Sequence, residues 1–534
     1  MPVSIVSSRL VTLAAVVAAS CSLAGCLSGG GGGSSSGGSA RAPLTELRTT
    51  LSGDVRGVEQ EDYFQFLGIP YAAAPVGNLR FAAPQAVAGW DEERPADSYG
   101  SVCPQKLGPM VIGEEDCLYL NVFTPKSHGP HPVMVWFHGG AFVFGSGAGT
   151  YVPPRLLAED VVVVTVNYRL GKLGFTAHPG LTEEQGASGS YGLMDQQMAL
   201  QWVQDNIETF EGDPDNVTIF GESAGGLSVL SHLVSPASAG LFAKAIVQSG
   251  SYSTVQKSMA TAEGEGESFA TVLGCDAVDA AAEIECLRSN SVAEIMAIAP
   301  GTVTPTLRPD VLPVSVNAGL AAGEYNDVPL LMGTNSDEWS YFLASRGELN
   351  PIDESNYQFL LNASVGLAQT PTVVGLYPAT EFNNDYAAVM TAIGTDGNFA
   401  CNASVQAASV AVTGTQPLFV YEFADRDAPS PGIIAPSWLT LGATHASELA
   451  YIFGSDDSFR GRDATDEQVA LAGIMSRAWA AFARSGDPSH DDLNWVDYGD
   501  SDGGMVSFET PAVQPLSRSV FRDVHRCSYW TPEV

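Results

Sequence analysis

Residues 216–226 read NVTIFGESAGG, a short apolar run followed by a serine between small residues. The run NVTIF is suited to a buried strand, and the following AGGLSVLSHLV to a helix. A strand, a sharp turn and a helix in this order are typical of a nucleophile elbow, which exposes a serine hydroxyl at the carboxyl end of a sheet. Glycines two residues before and after the serine avoid clashes in such a turn. Ser223 is therefore the candidate nucleophile.

Similar apolar runs recur along the chain, and longer segments with helical spacing, such as residues 195–207, separate them. The runs are suited to strands buried on both faces and cover residues 132–137, 161–168, 216–220, 245–250, 328–333 and 417–423. This alternation predicts an α/β fold with a mostly parallel central sheet flanked by helices. Residues 260–304 and 350–413 favour helical insertions that cover the edge of the sheet. We expect one domain over residues 43–534.

A serine nucleophile needs a base, and the chain contains eight histidines. His232 would lie about 13 Å along the same helix from Ser223, which is too far. The elbow fold places its histidine last in chain order, which leaves His445, His490 and His525. His445 is the best candidate, because it shortly follows the last predicted strand.

The third group of such a site is a carboxylate that fixes the tautomer of the histidine. Asp337 and Glu338 both follow the run at 328–333, and their position alone does not distinguish them. Residues 133–147, VMVWFHGGAFVFGSG, end a predicted strand in small residues. Their backbone N–H groups are suited to stabilising an oxyanion, together with the N–H of Ala224.

Composition restricts the partners of the protein. Its 534 residues include 60 acidic and 24 basic ones, which gives a formal net charge of -36. This charge would repel phosphate backbones and anionic lipid surfaces, so we do not expect a nucleic-acid partner. With 45% apolar and 16% charged residues, the chain has enough material for a large core.

The N-terminus is typical of an export signal. Arg9 precedes an apolar stretch from Leu10 to Ala19, which is shorter than the roughly 20 residues that span a bilayer. The sequence LAGC, ending at Cys26, resembles the bacterial lipoprotein box. We expect residues 1–25 to be a signal peptide and residues 26–42 to be a lipidated cysteine with a Gly/Ser tether. This lipid alone would attach the protein to a membrane in the periplasm or at the cell surface; otherwise it is secreted.

The cysteines fit an exported protein. Beyond Cys21 and Cys26, an even number remains, which suggests disulfides. The remaining cysteines are Cys103, Cys117, Cys275, Cys286, Cys401 and Cys527. Cys103 lies close to Cys117 in sequence, and Cys275 lies close to Cys286. Local pairing would therefore leave Cys401 paired with Cys527. No CxxC spacing occurs, and a zinc or redox site is not indicated.

These features together resemble the type-B carboxylesterase family of α/β-hydrolases. The matching stretches include FLGIPYAAAPVGNLRF (66–81), EDCLYLNVFTP (115–125), HGGAFVFGSG (138–147), FEGDPDNVTIFGESAGG (210–226), GTNSDEW (333–339) and HASELAYIFG (445–454). The resemblance implies an α/β-hydrolase fold. It also implies Ser223 as nucleophile, Glu338 rather than Asp337 as the acid, and His445 as base and then acid.

The resemblance further implies oxyanion donors at Gly140, Ala141 and Ala224. Glu222 and Ser249 match supporting positions of the family. The implied disulfides are the three pairs given above. Neither a metal nor an organic cofactor is implied.

The sequence departs from the family pattern at two points. The third oxyanion position, a glycine in many relatives, is Ala141, which keeps the N–H but narrows the approach of a substrate. The loop between Cys103 and Cys117 is shorter than in cholinesterases and lacks a tryptophan, so choline-ester specificity is not expected.

We therefore expect a carboxylic-ester hydrolase that acts on small-molecule esters, of short to medium chain length or aryl type, through a Ser-His-Glu triad and an acyl-enzyme. A catalytically silent adhesion or binding protein of the same fold is an alternative, which the complete set of candidate residues disfavours. Hydrolysis of carbamates, lipids or polyesters is the other alternative that the sequence leaves open.

Overall fold

A computed structural model describes residues 44–276, 279–500 and 504–531. The predicted signal peptide, the predicted lipidation site Cys26 and the predicted tether lie outside these residues. The strands are β1 (Leu47–Thr50), β2 (Gly53–Arg56), β3 (Val58–Glu59), β4 (Tyr63–Pro70), β5 (Arg94–Pro95), β6 (Gln105–Leu107), β7 (Met110–Ile112), β8 (Tyr119–Pro125), β9 (His131–Phe137), β10 (Val162–Val166), β11 (Gly212–Glu222), β12 (Lys244–Gln248), β13 (Leu330–Asn335), β14 (Leu418–Phe423), β15 (Met505–Phe508) and β16 (Gln514–Leu516).

The α-helices are α1 (Pro154–Leu157), α2 (Gly171–Phe175), α3 (Pro179–Gln185), α4 (Tyr191–Asn206), α5 (Ala224–Leu233), α6 (Met259–Val272), α7 (Ala280–Ser289), α8 (Val292–Ala297), α9 (Val316–Ala322), α10 (Trp339–Ala344), α11 (Tyr357–Val365), α12 (Thr370–Leu376), α13 (Tyr386–Thr395), α14 (Cys401–Thr413), α15 (Leu449–Ile452), α16 (Asp456–Arg460), α17 (Asp466–Ser485), α18 (Arg518–Val524) and α19 (Cys527–Trp530). A single turn of π-helix (the π-turn), Asp396–Ala400, joins α13 to α14.

In the part of the chain that the structure describes, eleven strands form the main sheet, in the order β16-β15-β14-β13-β12-β11-β9-β10-β8-β4-β3. The strands from β15 to β10 pair in parallel, and antiparallel pairs flank them on both sides. All six predicted strands are confirmed and belong to the parallel part. Because parallel strands present their carboxyl ends at one edge, the loops after β9, β11, β13 and β14 meet there.

Both faces of the sheet are buried, which explains why the strands are continuously apolar. On β9, Val133 and Val135 pack into the core on one face, while Met134 and Trp136 pack into the core on the other. Helices α4 and α5 cover the first face, and α17 covers the second. Helix α4 confirms the helix predicted at residues 195–207.

The two predicted insertions are helical, but one of them lies elsewhere than expected. Helix α14 contacts β13 and β14 in the interior of the sheet. Its Ala403 and Ala407 are buried in the same core as Met332 and Val420. These small side chains let the helix pack closely on the face of the sheet rather than at its edge.

Among the described residues, no single helix is long and apolar enough to cross a membrane. Helices α11 and α12 meet that requirement only as a pair, and the chain bends by 114° between them.

Three disulfides among the described residues join Cys103 to Cys117, Cys275 to Cys286 and Cys401 to Cys527, as expected. The first two close short loops, with sequence separations of 14 and 11 residues. The third connects positions 126 residues apart and ties the C-terminal α19 to the start of α14.

Loop length predicts unequal contributions of these disulfides to stability. In the chain-entropy model, loss of the bond between Cys401 and Cys527 removes about 5 kcal/mol of unfolding free energy, and loss of the bond between Cys275 and Cys286 about 3 kcal/mol. Urea unfolding of the two double alanine variants, followed by tryptophan fluorescence, measures both losses. An equal or larger loss in the short-loop variant would contradict this account.

Candidate active site

The turn between β11 and α5 holds Ser223 in a strained conformation, with φ 55° and ψ −119°. The elbow requires its two glycines because the backbone is crowded. A Cβ on Gly225 would lie 1.8 Å from the carbonyl oxygen of Phe137, and one on Gly221 would lie 2.5 Å from the carbonyl carbon of Gly225. The backbone N–H of Ser223 donates to the carbonyl of Gln248 on β12 (2.9 Å), and the residue stays partly exposed. The strain is the cost of presenting the hydroxyl at the edge of the sheet.

His445 lies in the loop between β14 and α15, and the structure brings it to Glu338 rather than to Asp337. Its Nδ1–H donates to Glu338 Oε2 over 2.5 Å, so Nε2 is the unprotonated nitrogen in the neutral ring. Nε2 lies 3.1 Å from Oε1 of Glu222, the residue that precedes Ser223. Apart from this ion-pair contact, Nε2 has no hydrogen-bond partner among the described residues. The hydrogen bond between a nucleophile and its base is often long in an enzyme without its substrate.

Glu338 is fully buried, and its other oxygen is held from two sides. Oε1 accepts hydrogen bonds from the hydroxyl of Thr334 and the backbone N–H of Asn335, both 2.8 Å long. Burial favours the neutral acid, but the charge and hydrogen bond of His445, together with the backbone N–H of Asn335, outweigh burial and lower the pKa of Glu338. The side chain is therefore an oriented carboxylate.

Asp337 has a different role, although it is the neighbour of Glu338. Its carboxylate accepts from the backbone N–H of Ala443 and from Nε of Arg426, both over 3.1 Å. It thus fastens the loop that leads to His445 and does not contact the imidazole.

Two more buried glutamates surround the imidazole. Burial raises the pKa of Glu222 to about 8, and the nearby Glu448 and Glu338 act in the same direction. Burial also raises the pKa of Glu448, whose oxygens accept from Gln248 Nε2 (3.0 Å) and Asn335 Nδ2 (2.8 Å). The sequence analysis missed Glu448, and its only signal was its place three residues after His445.

The carboxylates determine the proton affinity of His445. Burial alone would lower the pKa of this imidazole, but Glu222 and Glu338 raise it to about 9. A raised pKa means that the surroundings stabilise the imidazolium form. The pocket therefore suits a histidine that takes up a proton during a reaction.

The loop after β9 presents backbone N–H groups beside the serine. Gly140 and Ala141 have φ 106° and 53°, and a Cβ on the preceding Gly139 would lie 3.1 Å from Ser223 Cβ. Among the described residues, the amides of Gly140, Ala141 and Ala224 donate no hydrogen bond. Ala141 adopts a left-handed conformation that favours glycine, which is consistent with the departure noted in the sequence. These amides can bind an oxyanion.

Other predicted residues support this arrangement. Ser249, at φ 50°, donates its backbone N–H to the carbonyl of Gly333 on β13. The aromatic rings of Tyr341, Phe342 and Phe399 lie 5.8, 5.2 and 5.2 Å from the His445 ring. They make an apolar wall around the imidazole.

The other candidate histidines lie in structural positions. His232 is fully buried, and its Nε2 bonds Gln196 at 2.9 Å. His490 is hydrogen-bonded through Nε2 to the carbonyl of Ile474. His525 lies between two carboxylates away from Ser223, as described below. Groups of three or more possible metal ligands do not occur in the part of the chain that the structure describes.

Sheet, elbow and buried His–Glu pair together define an α/β-hydrolase. Comparison with known proteins then identifies its family: the model of the Carboxylesterase family matches residues 43–530, and the chain belongs to this family. It is an enzyme, a serine carboxylic-ester hydrolase of small-molecule esters.

The relatives include proteins from bacteria and mammals. The chain is 34% identical over 478 residues to the para-nitrobenzyl esterase of Bacillus subtilis (strain 168). The alignment covers 85% of this chain and 92% of the relative. It is 34% identical to the cocaine esterase of Homo sapiens over 91% of this chain and 90% of the relative. A solved structure of a PNB esterase superposes with a TM-score of 0.74 at 32% identity, covering 90% of this chain and all of that one.

Proposed function

We propose that the protein hydrolyses carboxylic esters through a triad of Ser223, His445 and Glu338. The observation that carries this proposal is the hydrogen bond of 2.5 Å between His445 and Glu338, buried beside the nucleophile elbow. A carboxylate in this position fixes the tautomer that leaves Nε2 free to accept the proton of the serine.

In the first half of the reaction, Ser223 Oγ attacks the ester carbonyl carbon while its proton passes to His445 Nε2. The N–H groups of Gly140, Ala141 and Ala224 donate to the oxyanion that forms. The imidazolium then protonates the leaving alcohol as the bond between the carbonyl carbon and the alcohol oxygen breaks. The acyl group stays on Ser223 as an ester.

In the second half, water attacks the acyl-enzyme and gives its proton to His445. The tetrahedral intermediate collapses, Ser223 takes back the proton, and the carboxylic acid leaves. Glu338 remains a carboxylate throughout and stabilises the imidazolium.

The walls of the site favour short- to medium-chain or aryl esters as substrates. Phe342 and Phe399 present apolar rings at the catalytic imidazole, and Phe144 on the oxyanion loop is 45% exposed. Apolar rings of this kind suit an acyl chain or an aromatic alcohol. The names of the relatives, a para-nitrobenzyl esterase and a cocaine esterase, fit this substrate class.

The test is the release of 4-nitrophenol from a series of its esters, from acetate to long-chain acyl groups, with a 4-nitrophenyl carbamate and a polyester film as comparisons. We expect the highest kcat/KM at short or medium chain length, and a burst of 4-nitrophenol equal to the enzyme concentration at high substrate. Turnover confined to long chains, the carbamate or the film would contradict the proposed substrate class.

The pH profile depends on Glu222, because its carboxylate, once ionised near and above its own pKa of about 8, stabilises the imidazolium of His445. A histidine acts as base only when neutral, so kcat/KM of the wild type rises with pH towards the raised pKa of about 9. In Glu222→Gln this pKa falls, and the rising limb moves to lower pH. Glu222→Asp, which keeps the charge, is the control. A limb at the same pH in Glu222→Gln would show that Glu222 does not set the proton affinity of His445.

We also propose export and attachment by a lipid on Cys26, on the evidence of the N-terminal sequence. In a bacterial host, the wild type should sediment with membranes and carry a labelled fatty acid, and Cys26→Ser should lose the label. Cys21→Ser is the matched control and should keep it. Equal labelling of both variants would exclude Cys26 as the modified residue, and a wild type without label would leave simple secretion.

A further inference from the structure

A second buried histidine lies in a group of charges that the reaction does not use. His525, in the turn between α18 and α19, is 4% exposed. Its Nδ1 contacts Asp396 Oδ1 at 2.6 Å, and its Nε2 contacts Glu422 Oε1 at 2.7 Å. A neutral imidazole has one N–H, so only the imidazolium donates to both carboxylates.

The surroundings favour that charged form. Burial alone would lower the pKa of His525, but Glu422 and Asp396 raise it to about 10. The other polar groups that face this cluster are Tyr377, whose hydroxyl donates to Asp396 Oδ2 (2.6 Å), and Arg526, which lies over the Tyr377 ring at 4.3 Å. The cluster therefore joins β14, the π-turn and the C-terminal segment through charge-assisted hydrogen bonds.

The π-turn, Asp396–Ala400, connects this cluster to the active site. Asp396, its first residue, binds His525, while Phe399 packs against the ring of His445 with a centroid distance of 5.2 Å. Single turns of π-helix are rare and often occur at functional sites. Here the wider turn allows two residues three positions apart to point to different neighbours.

Phe399 also belongs to the wall of the site. Its ring stacks on Phe342 at 6.0 Å and contacts Tyr252 at 5.9 Å, and Phe342 itself lies 5.2 Å from His445. Glu338 and Glu222 contact the two ring nitrogens of His445, at 2.5 and 3.1 Å, and these aromatic contacts confine the faces of the ring before the substrate binds. A shift of the π-turn would therefore move a wall of the imidazole pocket.

We propose that His525 is a positioning residue of the esterase: its contacts with Asp396 and Glu422 hold the π-turn so that Phe399 keeps His445 in its productive orientation. This inference rests on the proposed role of His445 as the catalytic base. Without His525, the carboxylates of Asp396 and Glu422 would face each other in a buried site. Their repulsion could be relieved only by a shift of the π-turn or by protonation of one carboxylate.

The experiment compares the kinetics of His525→Gln, Phe399→Leu and the double variant on a short-chain 4-nitrophenyl ester. We expect His525→Gln to lower kcat about tenfold with KM changed less than about twofold, because a misplaced base slows the chemical step, whereas Phe399 is only one of several apolar rings at the site. Because His525 acts through Phe399, the double variant should lose far less than the product of the two single losses. His490→Gln, which changes a histidine elsewhere, should keep the wild-type kcat.

Several outcomes would overturn the proposal. One is an unchanged kcat in His525→Gln, and another is fully multiplicative losses in the double variant. If His525→Gln does not fold, Glu422→Gln, which removes one charge but keeps a hydrogen-bonding group, must show the same loss of kcat and the same coupling to Phe399. Failure of the proposed function is distinguishable, because it would appear as full activity in His445→Ala.

Discussion

Replacement of Ser223 by alanine is expected to lower kcat on 4-nitrophenyl esters by roughly a thousandfold or more, as loss of a triad nucleophile does. The backbone of the elbow should be unchanged, because its crowding depends on Gly221 and Gly225 and not on the hydroxyl. Substrate binding should remain, since the oxyanion amides and the aromatic wall are intact. The measurements are kcat and KM across the ester series, together with the 4-nitrophenol burst, which should disappear.

Ser268→Ala provides the matched control, because Ser268 lies exposed on α6, outside the site. It should keep the kcat and the burst of the wild type. Retention of more than about a tenth of wild-type kcat by Ser223→Ala would exclude Ser223 as the nucleophile. If wild type and Ser223→Ala are equally inactive on every ester, the catalytically silent alternative would be favoured instead.

Glu338→Gln is expected to cause the second large loss, about a thousandfold or more in kcat. The amide keeps the volume of the side chain but removes the charge that stabilises the imidazolium. It also offers an N–H to Nδ1 and thereby favours the wrong tautomer of His445. The loss should appear in kcat rather than KM, since Glu338 is fully buried and does not reach the substrate.

Asp337→Asn is the matched control, one residue away in the chain. Its carboxylate binds Ala443 N–H and Arg426, so we expect a change in kcat of less than about threefold and a loss of stability of about 1 kcal/mol. Thermal unfolding and the ester assay measure both quantities. A larger loss of kcat in Asp337→Asn than in Glu338→Gln would reverse the assignment of the acid.

The local parts of the fold could be read from the sequence because their signals are local. Buried parallel strands are apolar at every position, and β9 shows the reason, since successive side chains enter opposite cores. The elbow could be predicted for a similar reason, because close backbone contacts at Gly221 and Gly225 leave no room for a side chain. The disulfides followed from the cysteine count and the family resemblance.

The parts that sequence position did not resolve depend on contacts between distant segments. Asp337 and Glu338 are chemically similar neighbours, and only the direction of the chain after β13 decides which one meets a histidine 107 positions further along. Glu448 gave no signal beyond its place three residues after His445, although it is buried beside that histidine and raises its pKa. The position of His525 in the sequence makes it a weaker candidate base than His445, and nothing near it in the sequence indicates its two carboxylate partners.

The sequence by itself thus determined the α/β sheet, the elbow at Ser223, the small-residue loop after β9 and His445 as the candidate base, because each depends on residue type and order along the chain. The family resemblance implied Glu338, but only the tertiary structure shows that Glu338 contacts His445, that Glu222 and Glu448 complete a buried cluster of carboxylates, and that one π-turn contacts both His445 and His525. The physical reason is that pKa values and ring orientation depend on burial and on distances of a few ångströms between segments far apart in sequence. The hydrophobic periodicity and motif spacing of a sequence indicate only contacts between residues that are close along the chain.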